Sequence, residues 1–128
     1  MCEPHTIEIS TDPEHLHAAR QWIAKTCAML NAEPCTYVAQ LAVTELIENA
    51  RQHAGDETVT VRAYVADCGP VLEVLDSSPV MPMVRELDLL AESGRGLAVV
   101  QEVSKALGWN SLAGGGKAVF VVLGPDDA

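Results

Sequence analysis

Apolar residues recur at steps of three and four in three stretches of the chain, and this spacing predicts three amphipathic helices. The first helix follows Asp12-Pro13, where a capping acid precedes a proline suited to the first helical position. The second spans residues 34–54, and the third spans residues 96–107, with Gly108 as its stop. The inward positions of the first helix are Leu16, Ala19, Ile23, Cys27 and Leu30.

Alternating apolar and polar residues predict four strands. They span residues 5–10, 58–67, 71–76 and 117–123, and a turn between the middle two makes those two a hairpin. The order strand, helix, helix, hairpin, helix, strand predicts an α+β fold, a two-layer α/β sandwich with the helices on one face of a mixed sheet. Residues 77–93 contain two prolines and no clean period. A loop of this length in a small domain is usually functional.

The second predicted helix places polar residues where its apolar stripe should be buried. The stripe is Val38, Ala42, Leu46 and Ala50, and the polar face is Thr36, Gln40, Thr44, Glu48 and Arg51. Glu45, Asn49 and His53, spaced four apart, fall inside the stripe. Burying an ionised carboxylate is unfavourable unless it is paired or coordinated, so this row predicts a helix that lines a polar site. The alternative is that Asn49 and His53 are satisfied core groups and that Glu45 sits at the edge of the stripe.

The charge of the chain disfavours some kinds of partner. Eight Lys and Arg against eighteen Asp and Glu give a net charge of −10. Direct nucleic-acid binding and an anionic membrane surface are disfavoured, because phosphate contacts need clustered cations. The charge suits a basic protein partner or a ligand whose phosphates a metal neutralises. An ordinary acidic protein kept soluble by its charge has the same composition.

Length and cysteine usage narrow the class of protein further. With 128 residues, the chain is expected to form one domain over residues 1–128. Its four cysteines show no C-x-x-C pair, so neither a metal nor a disulfide framework is expected. No secretory signal is visible at the N-terminus, and no apolar stretch approaches the ~20 residues of a membrane span. We therefore expect a cytoplasmic protein.

Two further motifs flank the predicted loop. Gly94-Arg95-Gly96-Leu97 runs directly into the third helix. Free amides at a helix N-terminus attract phosphate and glycine lets it approach, although a simple turn also explains the motif. Asp76 ends an apolar strand, where a carboxylate can accept a hydrogen bond from an exocyclic amine, although capping the turn is its commoner role.

Taken in order, these motifs resemble the nucleotide-binding domain of the GHKL (Bergerat-fold) ATPase superfamily, and in particular its anti-sigma-factor serine kinases. The run Leu41-Ala42-Val43-Thr44-Glu45-x-x-x-Asn49-Ala50-x-x-His53 is similar to the asparagine box of that branch. Asp76 matches the acid of the first glycine box, and Gly94-Arg95-Gly96-Leu97 matches the second. Gly115-Gly116-Lys117-Ala118-Val119 resembles the entry to the final strand. The resemblance covers nearly the whole chain.

The resemblance implies ATP and Mg²⁺ as cofactors and assigns a role to each matched residue. Glu45 would act as general base, or orient the acceptor, in phosphoryl transfer. Asn49 would be the metal ligand that coordinates Mg²⁺, and Asp76 would accept a hydrogen bond from the adenine amine. The residues that the resemblance assigns to nucleotide binding are Asn49, Asp76, Ser78, Gly94, Arg95, Gly96 and Leu97. For His53, packing near the site is the expected role.

Two departures from the family pattern bear on nucleotide affinity. Where the first glycine box reads D-x-G-x-G, this chain reads Asp76-Ser77-Ser78-Pro79-Val80, so both glycines are missing and proline stiffens the segment. Ala118 stands where a threonine hydroxyl would support the contact between adenine and aspartate. Some members of the branch carry a similar D-x-S-P pattern, so the first change is compatible with ATP.

The function that the resemblance implies is that of an ATP-binding regulator. It would sequester a sigma factor or similar partner and phosphorylate a small anti-anti-sigma antagonist on Ser or Thr. It would also form a homodimer, with Trp22 and Trp109 as candidates for an exposed contact, although burial is the commoner fate of each. One alternative is a catalytically degenerate partner-switching adaptor on the same fold, with weak or no nucleotide binding. Another is a housekeeping domain with no nucleotide site.

Overall fold

A five-stranded sheet with helices on one face makes up the part of the chain that the computed structural model describes, residues 3–55, 57–77 and 95–126. The strands are β1 (His5–Ser10), β2 (Thr58–Ala66), β3 (Gly69–Asp76), β4 (Ala106–Ser111) and β5 (Lys117–Val122). They lie in the order β1-β2-β3-β5-β4, and these four pairings are antiparallel. The helices are α1 (Leu16–Met29), α2 (Thr36–Ala54) and α3 (Arg95–Val103). Within the described ranges, no helix is both long enough and apolar enough to cross a membrane.

The predicted α+β fold class is confirmed, but two details of the prediction are wrong. The sheet is antiparallel at each described pairing rather than mixed. Helix α3 ends at Val103, not at Leu107, because residues 106–111 form β4, an unpredicted strand at the edge of the sheet. The Lys105 N–H donates to the Val122 carbonyl oxygen at 2.9 Å, and the pairing of β4 with β5 follows directly. Backbone pairing with a distant strand therefore overrides the helical spacing of the apolar residues here.

The core lies between the helices and the inner face of the sheet. The four predicted stripe residues of α2 are all buried, and Ala39, Val43 and Ile47 are buried beside them. Burial stabilises by about 1.5–3 kcal/mol for a side chain the size of valine or isoleucine. This broad apolar face therefore fixes the rotation of α2 about its own axis. That rotation decides where the polar residues of the helix lie.

The N-terminus of α2 is capped by a residue distant in sequence. Its own N-cap residue, Cys35, makes no capping bond through its side chain. Instead, Asp126 accepts hydrogen bonds from the backbone N–H groups of Tyr37 at 3.1 Å and of Val38 at 2.9 Å. A carboxylate at this end also complements the partial positive charge of the helix terminus. The segment that follows β5 thus fixes the start of α2.

Candidate functional site

The polar residues of α2 lie at the edge of its buried face rather than inside it. Glu45 and Asn49 are each half-buried. The predicted stripe is too narrow, because Ala39, Val43 and Ile47 join the buried face and move its centre away from Glu45 and Asn49. The sequence-based alternative, with Glu45 at the edge, describes its position correctly. An edge position leaves the carboxylate partly desolvated and still able to face a neighbouring element.

Glu45 lies against the first turn of α3. A Cβ atom placed on Gly96 would overlap the Glu45 carboxylate, so the close approach of the two helices needs glycine at this position. The first backbone N–H groups of a helix have no acceptor within that helix, and they carry the partial positive charge of its N-terminus. The fold therefore brings an acid on α2 beside the end of α3 that attracts negative charge.

The surroundings of Glu45 also change its acidity. Desolvation by burial raises the pKa of the Glu45 carboxyl above its ordinary value, and the nearby charge of Glu48 raises it further. A carboxylate with a raised pKa is a better proton acceptor than an exposed one, which suits a general base. Asn49 is one turn further along the same helix edge. Its amide oxygen is the kind of ligand that Mg²⁺ accepts.

A buried ion pair joins the end of β3 to the start of β5. The Lys117 Nζ lies 2.9 Å from Oδ1 and 2.9 Å from Oδ2 of Asp76. The two side chains are 2% and 1% exposed. Asp76 and Lys117 are partners in the register of the two strands, two residues from the buried pair Val74 and Val119. Both side chains therefore face the helices, since side chains alternate across a strand.

Lys117 is the residue that the sequence-based assignment of the site missed. The resemblance places Ala118 where a threonine would support Asp76, but Ala118 pairs with Leu75 and its side chain is on the other face of the sheet. The sequence contained one signal for this contact, because a lysine is the first residue of an apolar strand directly after Gly116. An antiparallel partner strand ending in aspartate would place the two charges side by side. The support for Asp76 is therefore an ammonium group rather than a hydroxyl.

Of the remaining predicted site residues, some are described by the structure and the others lie outside the described residues. Leu97, in the first turn of α3, is only 2% exposed and belongs to the hydrophobic core. The described part of α3 starts at Arg95, one residue before the predicted start at Gly96. Ser78 and Gly94 lie outside the described residues, and so do the side chains of Arg95 and His53. The structure thus brings Glu45 to Gly96, and Lys117 to Asp76.

An antiparallel sheet covered by helices, with a polar helix edge meeting the start of a second helix, is the architecture of the Bergerat class of ATP-binding domains. Residues 9–123 match the family described as the histidine kinase-like ATPase domain, and the chain belongs to this family, within the GHKL superfamily. No curated protein sequence matches the chain. Membership implies binding of ATP with Mg²⁺ in general.

The described residues fit ATP and Mg²⁺ more closely at one part of the site than at the other. Beside Gly96, a carboxylate and an amide share one helix edge, and the glycine makes room for the Glu45 carboxylate against the first turn of α3. At Asp76, both carboxylate oxygens already contact Lys117. The residues beside Gly96 therefore suit the phosphates and Mg²⁺, whereas the Asp76 carboxylate, which would bind the adenine amine, already has Lys117 as a partner.

Proposed function

We propose that this chain is an ATP-binding regulator of the anti-sigma kind. It sequesters a sigma factor or similar regulator, and it phosphorylates a small anti-anti-sigma antagonist on Ser or Thr. The observation that carries the proposal is the contact between Glu45 and Gly96, because it unites a proton-accepting carboxylate with a helix N-terminus. Phosphoryl transfer by such a site depends on positioning and electrostatic stabilisation more than on covalent chemistry by the protein.

Each described residue then has one task in the transfer. Asn49 would hold Mg²⁺, and the ion would supply neutralisation of the phosphate charge. The first turn of α3 stabilises the negative charge that spreads over the transferred group. Glu45 accepts the proton of the Ser or Thr hydroxyl while the bond from phosphorus to the leaving ADP breaks and the bond to the hydroxyl oxygen forms. The raised pKa of Glu45 supports this assignment.

A titration with ATP and Mg²⁺, followed by transfer of labelled γ-phosphate to a purified antagonist-type protein, tests the proposal. Glu45→Gln should bind ATP within about threefold of the wild type but lose at least about a hundredfold in transfer rate, since a general base contributes in the transition state. Glu102→Gln, at an exposed position on α3, is the matched control and should leave both quantities unchanged. Equal transfer by the Glu45 variant and the wild type would remove Glu45 from the mechanism.

A second candidate function, the partner-switching adaptor, is favoured by one specific observation. Lys117 engages both oxygens of Asp76, the residue that the resemblance assigns to the adenine amine. A site with weak nucleotide binding could still recognise proteins through its surface. If the wild-type protein shows no ATP binding at millimolar nucleotide but binds a sigma factor, the adaptor function is established instead.

The proposed partners follow from charge and from the exposed aromatic surface. A net charge of −10 favours a partner with a basic patch and faster association at low salt. Trp109 on β4 is 42% exposed, whereas Trp22 packs against the core. We propose a homodimer that uses the surface around Trp109. Light scattering at micromolar concentration should give the mass of two chains, and Trp109→Ala should shift it towards one.

A further inference from the structure

Lys117 approaches Asp76 at the outer end of its carboxylate. The ammonium nitrogen is equally distant, 2.9 Å, from the two oxygens, so it lies on the plane that bisects the carboxylate group. A donor in this place uses a lone pair of each oxygen. An adenine amine that approached Asp76 end-on would meet the lysine first.

Burial makes this contact hard to exchange for another. The two side chains are 2% and 1% exposed, so bulk solvent does not offer either charge an alternative partner. Removing one member of a buried pair leaves an uncompensated charge, and the other member then destabilises the fold. An amine on a ligand is neutral and cannot replace the charge of Lys117. The ion pair is therefore expected to persist when a nucleotide binds.

We propose that Lys117 is a specificity-determining residue which occupies the place of the adenine amine at Asp76. This inference rests on the proposed nucleotide site and concerns its base end alone. The protein then holds a nucleotide mainly through its phosphates and Mg²⁺, at the part of the site formed by α2 and the first turn of α3. Discrimination between bases through Asp76 is correspondingly weak. The lysine takes the role that a threonine hydroxyl has in the family pattern, but it fills the space in front of the carboxylate as well.

The first test uses the wild-type protein, so it does not depend on the folding of a variant. Isothermal titration in excess Mg²⁺ compares ATP with purine riboside triphosphate, which lacks only the 6-amino group. We expect the two dissociation constants to agree within about threefold, because a hydrogen bond to a charged acceptor would contribute roughly tenfold or more. A preference for ATP of about tenfold or greater would overturn the inference.

The second test replaces Lys117, so that the Asp76 carboxylate is available to the adenine amine. Lys117→Thr should bind ATP at least about tenfold more tightly than Lys105→Thr, and it should prefer ATP over the analogue without the amine by a similar factor. Lys105 is exposed, so its variant controls for the loss of one positive charge. Circular dichroism establishes that each variant is folded. A folded Lys117→Thr protein with unchanged affinity for ATP would contradict the inference.

The failure of the inference can be told apart from the failure of the proposed nucleotide site. If neither triphosphate binds to the wild type or to a folded Lys117→Thr protein, the proposed nucleotide site is wrong, and the inference that rests on it is wrong as well. If both proteins bind triphosphate and both prefer the amine, only the inference fails. If the wild type binds neither compound and Lys117→Thr binds ATP, the inference is supported in its strongest form.

Discussion

The Glu45 carboxylate occupies the place that a Cβ atom on Gly96 would take. Gly96 is not among the glycines of the described chain that have a positive φ. Glycine is therefore required at this position by the lack of space for a side chain and not by the backbone conformation. The contact links two helices that are far apart in sequence. It also gives the glycine motif a physical function that sequence spacing alone does not reveal.

Gly96→Ala should displace the Glu45 side chain with little loss of stability. The added methyl group overlaps the end of a flexible side chain, which can rotate away, and alanine is favoured over glycine within a helix by about 0.5–1 kcal/mol. We expect phosphoryl transfer to fall at least about tenfold, because displacement of a catalytic group by a small distance lowers the rate strongly. Gly114→Ala, whose added Cβ meets no atom within 4 Å, should leave transfer unchanged.

The stability of the protein should depend on pH through Glu45. Its folded-state pKa is raised by burial and then by Glu48, so the folded form holds the proton more tightly than the unfolded chain does. This contribution to stability is present below the ordinary value of 4.5 and is lost as the pH rises through the raised value. Glu45→Gln should therefore unfold at higher urea concentration than the wild type at pH 7. Near pH 4, about where the wild-type carboxyl is protonated, the difference should disappear.

Lys117→Met should be strongly destabilising because it leaves the Asp76 carboxylate buried without its cation. Loss of one member of a buried pair destabilises by about 3–5 kcal/mol. The double variant Asp76→Asn with Lys117→Met removes both charges and should recover part of that loss. Urea denaturation of the four proteins in this cycle measures the coupling, and additive effects would show that the contact contributes nothing to stability.

Asp126→Ala should weaken the start of α2. Two backbone N–H groups, those of Tyr37 and Val38, lose their acceptor. Loss of a capping side chain lowers the free energy of unfolding by about 0.5–2 kcal/mol. Asp126→Asn keeps one side-chain oxygen as acceptor and should lose less, a ranking that urea denaturation can verify. Identical midpoints for all three proteins would mean that the start of α2 needs no cap.

Cys27 should resist thiol reagents in the folded protein. Burial, assisted by the nearby Cys35, raises the pKa of the Cys27 thiol to about 11, and the reactive form is the thiolate. Cys68 is exposed in the turn between β2 and β3, and it should react under the same conditions. Mass spectrometry after brief alkylation at neutral pH separates the two sites. Denaturation should abolish the difference between them, because the environment of Cys27 is then lost.

The parts of the fold that depend on local periodicity could be predicted from the sequence. The spacing of Val38, Ala42, Leu46 and Ala50 correctly predicted a buried face on α2, since helical period and burial are linked over a few turns. Strand β4 was missed for a different reason. Its residues, 106–111, become a strand only because β5 offers a free edge, and that partner is formed by a later segment.

The candidate site was predictable only as far as its motifs are local. Glu45 and Gly96 each belong to a short motif, and the structure brings them together. The contact of Asp76 with Lys117 depends on the register of β3 against β5, which single strands do not specify. A shift of one residue would have placed Ala118 beside Asp76 instead. The resemblance therefore identified the strand that supports Asp76 correctly but assigned the support to Ala118 instead of Lys117.

The dependence of α2 on Asp126 has a consequence for how the chain acquires its structure during synthesis. Asp126 is added 88 residues after Val38. At about 5–20 residues per second, the ribosome needs roughly 4–18 s to supply that acceptor. Elements β2, β3 and α3, which pack on α2, also follow it in the chain, and most of the stability of a helix in a protein comes from such packing. The helix that carries Glu45 and Asn49 is therefore translated early, and its N-terminal cap is completed only after residue 126 has been added.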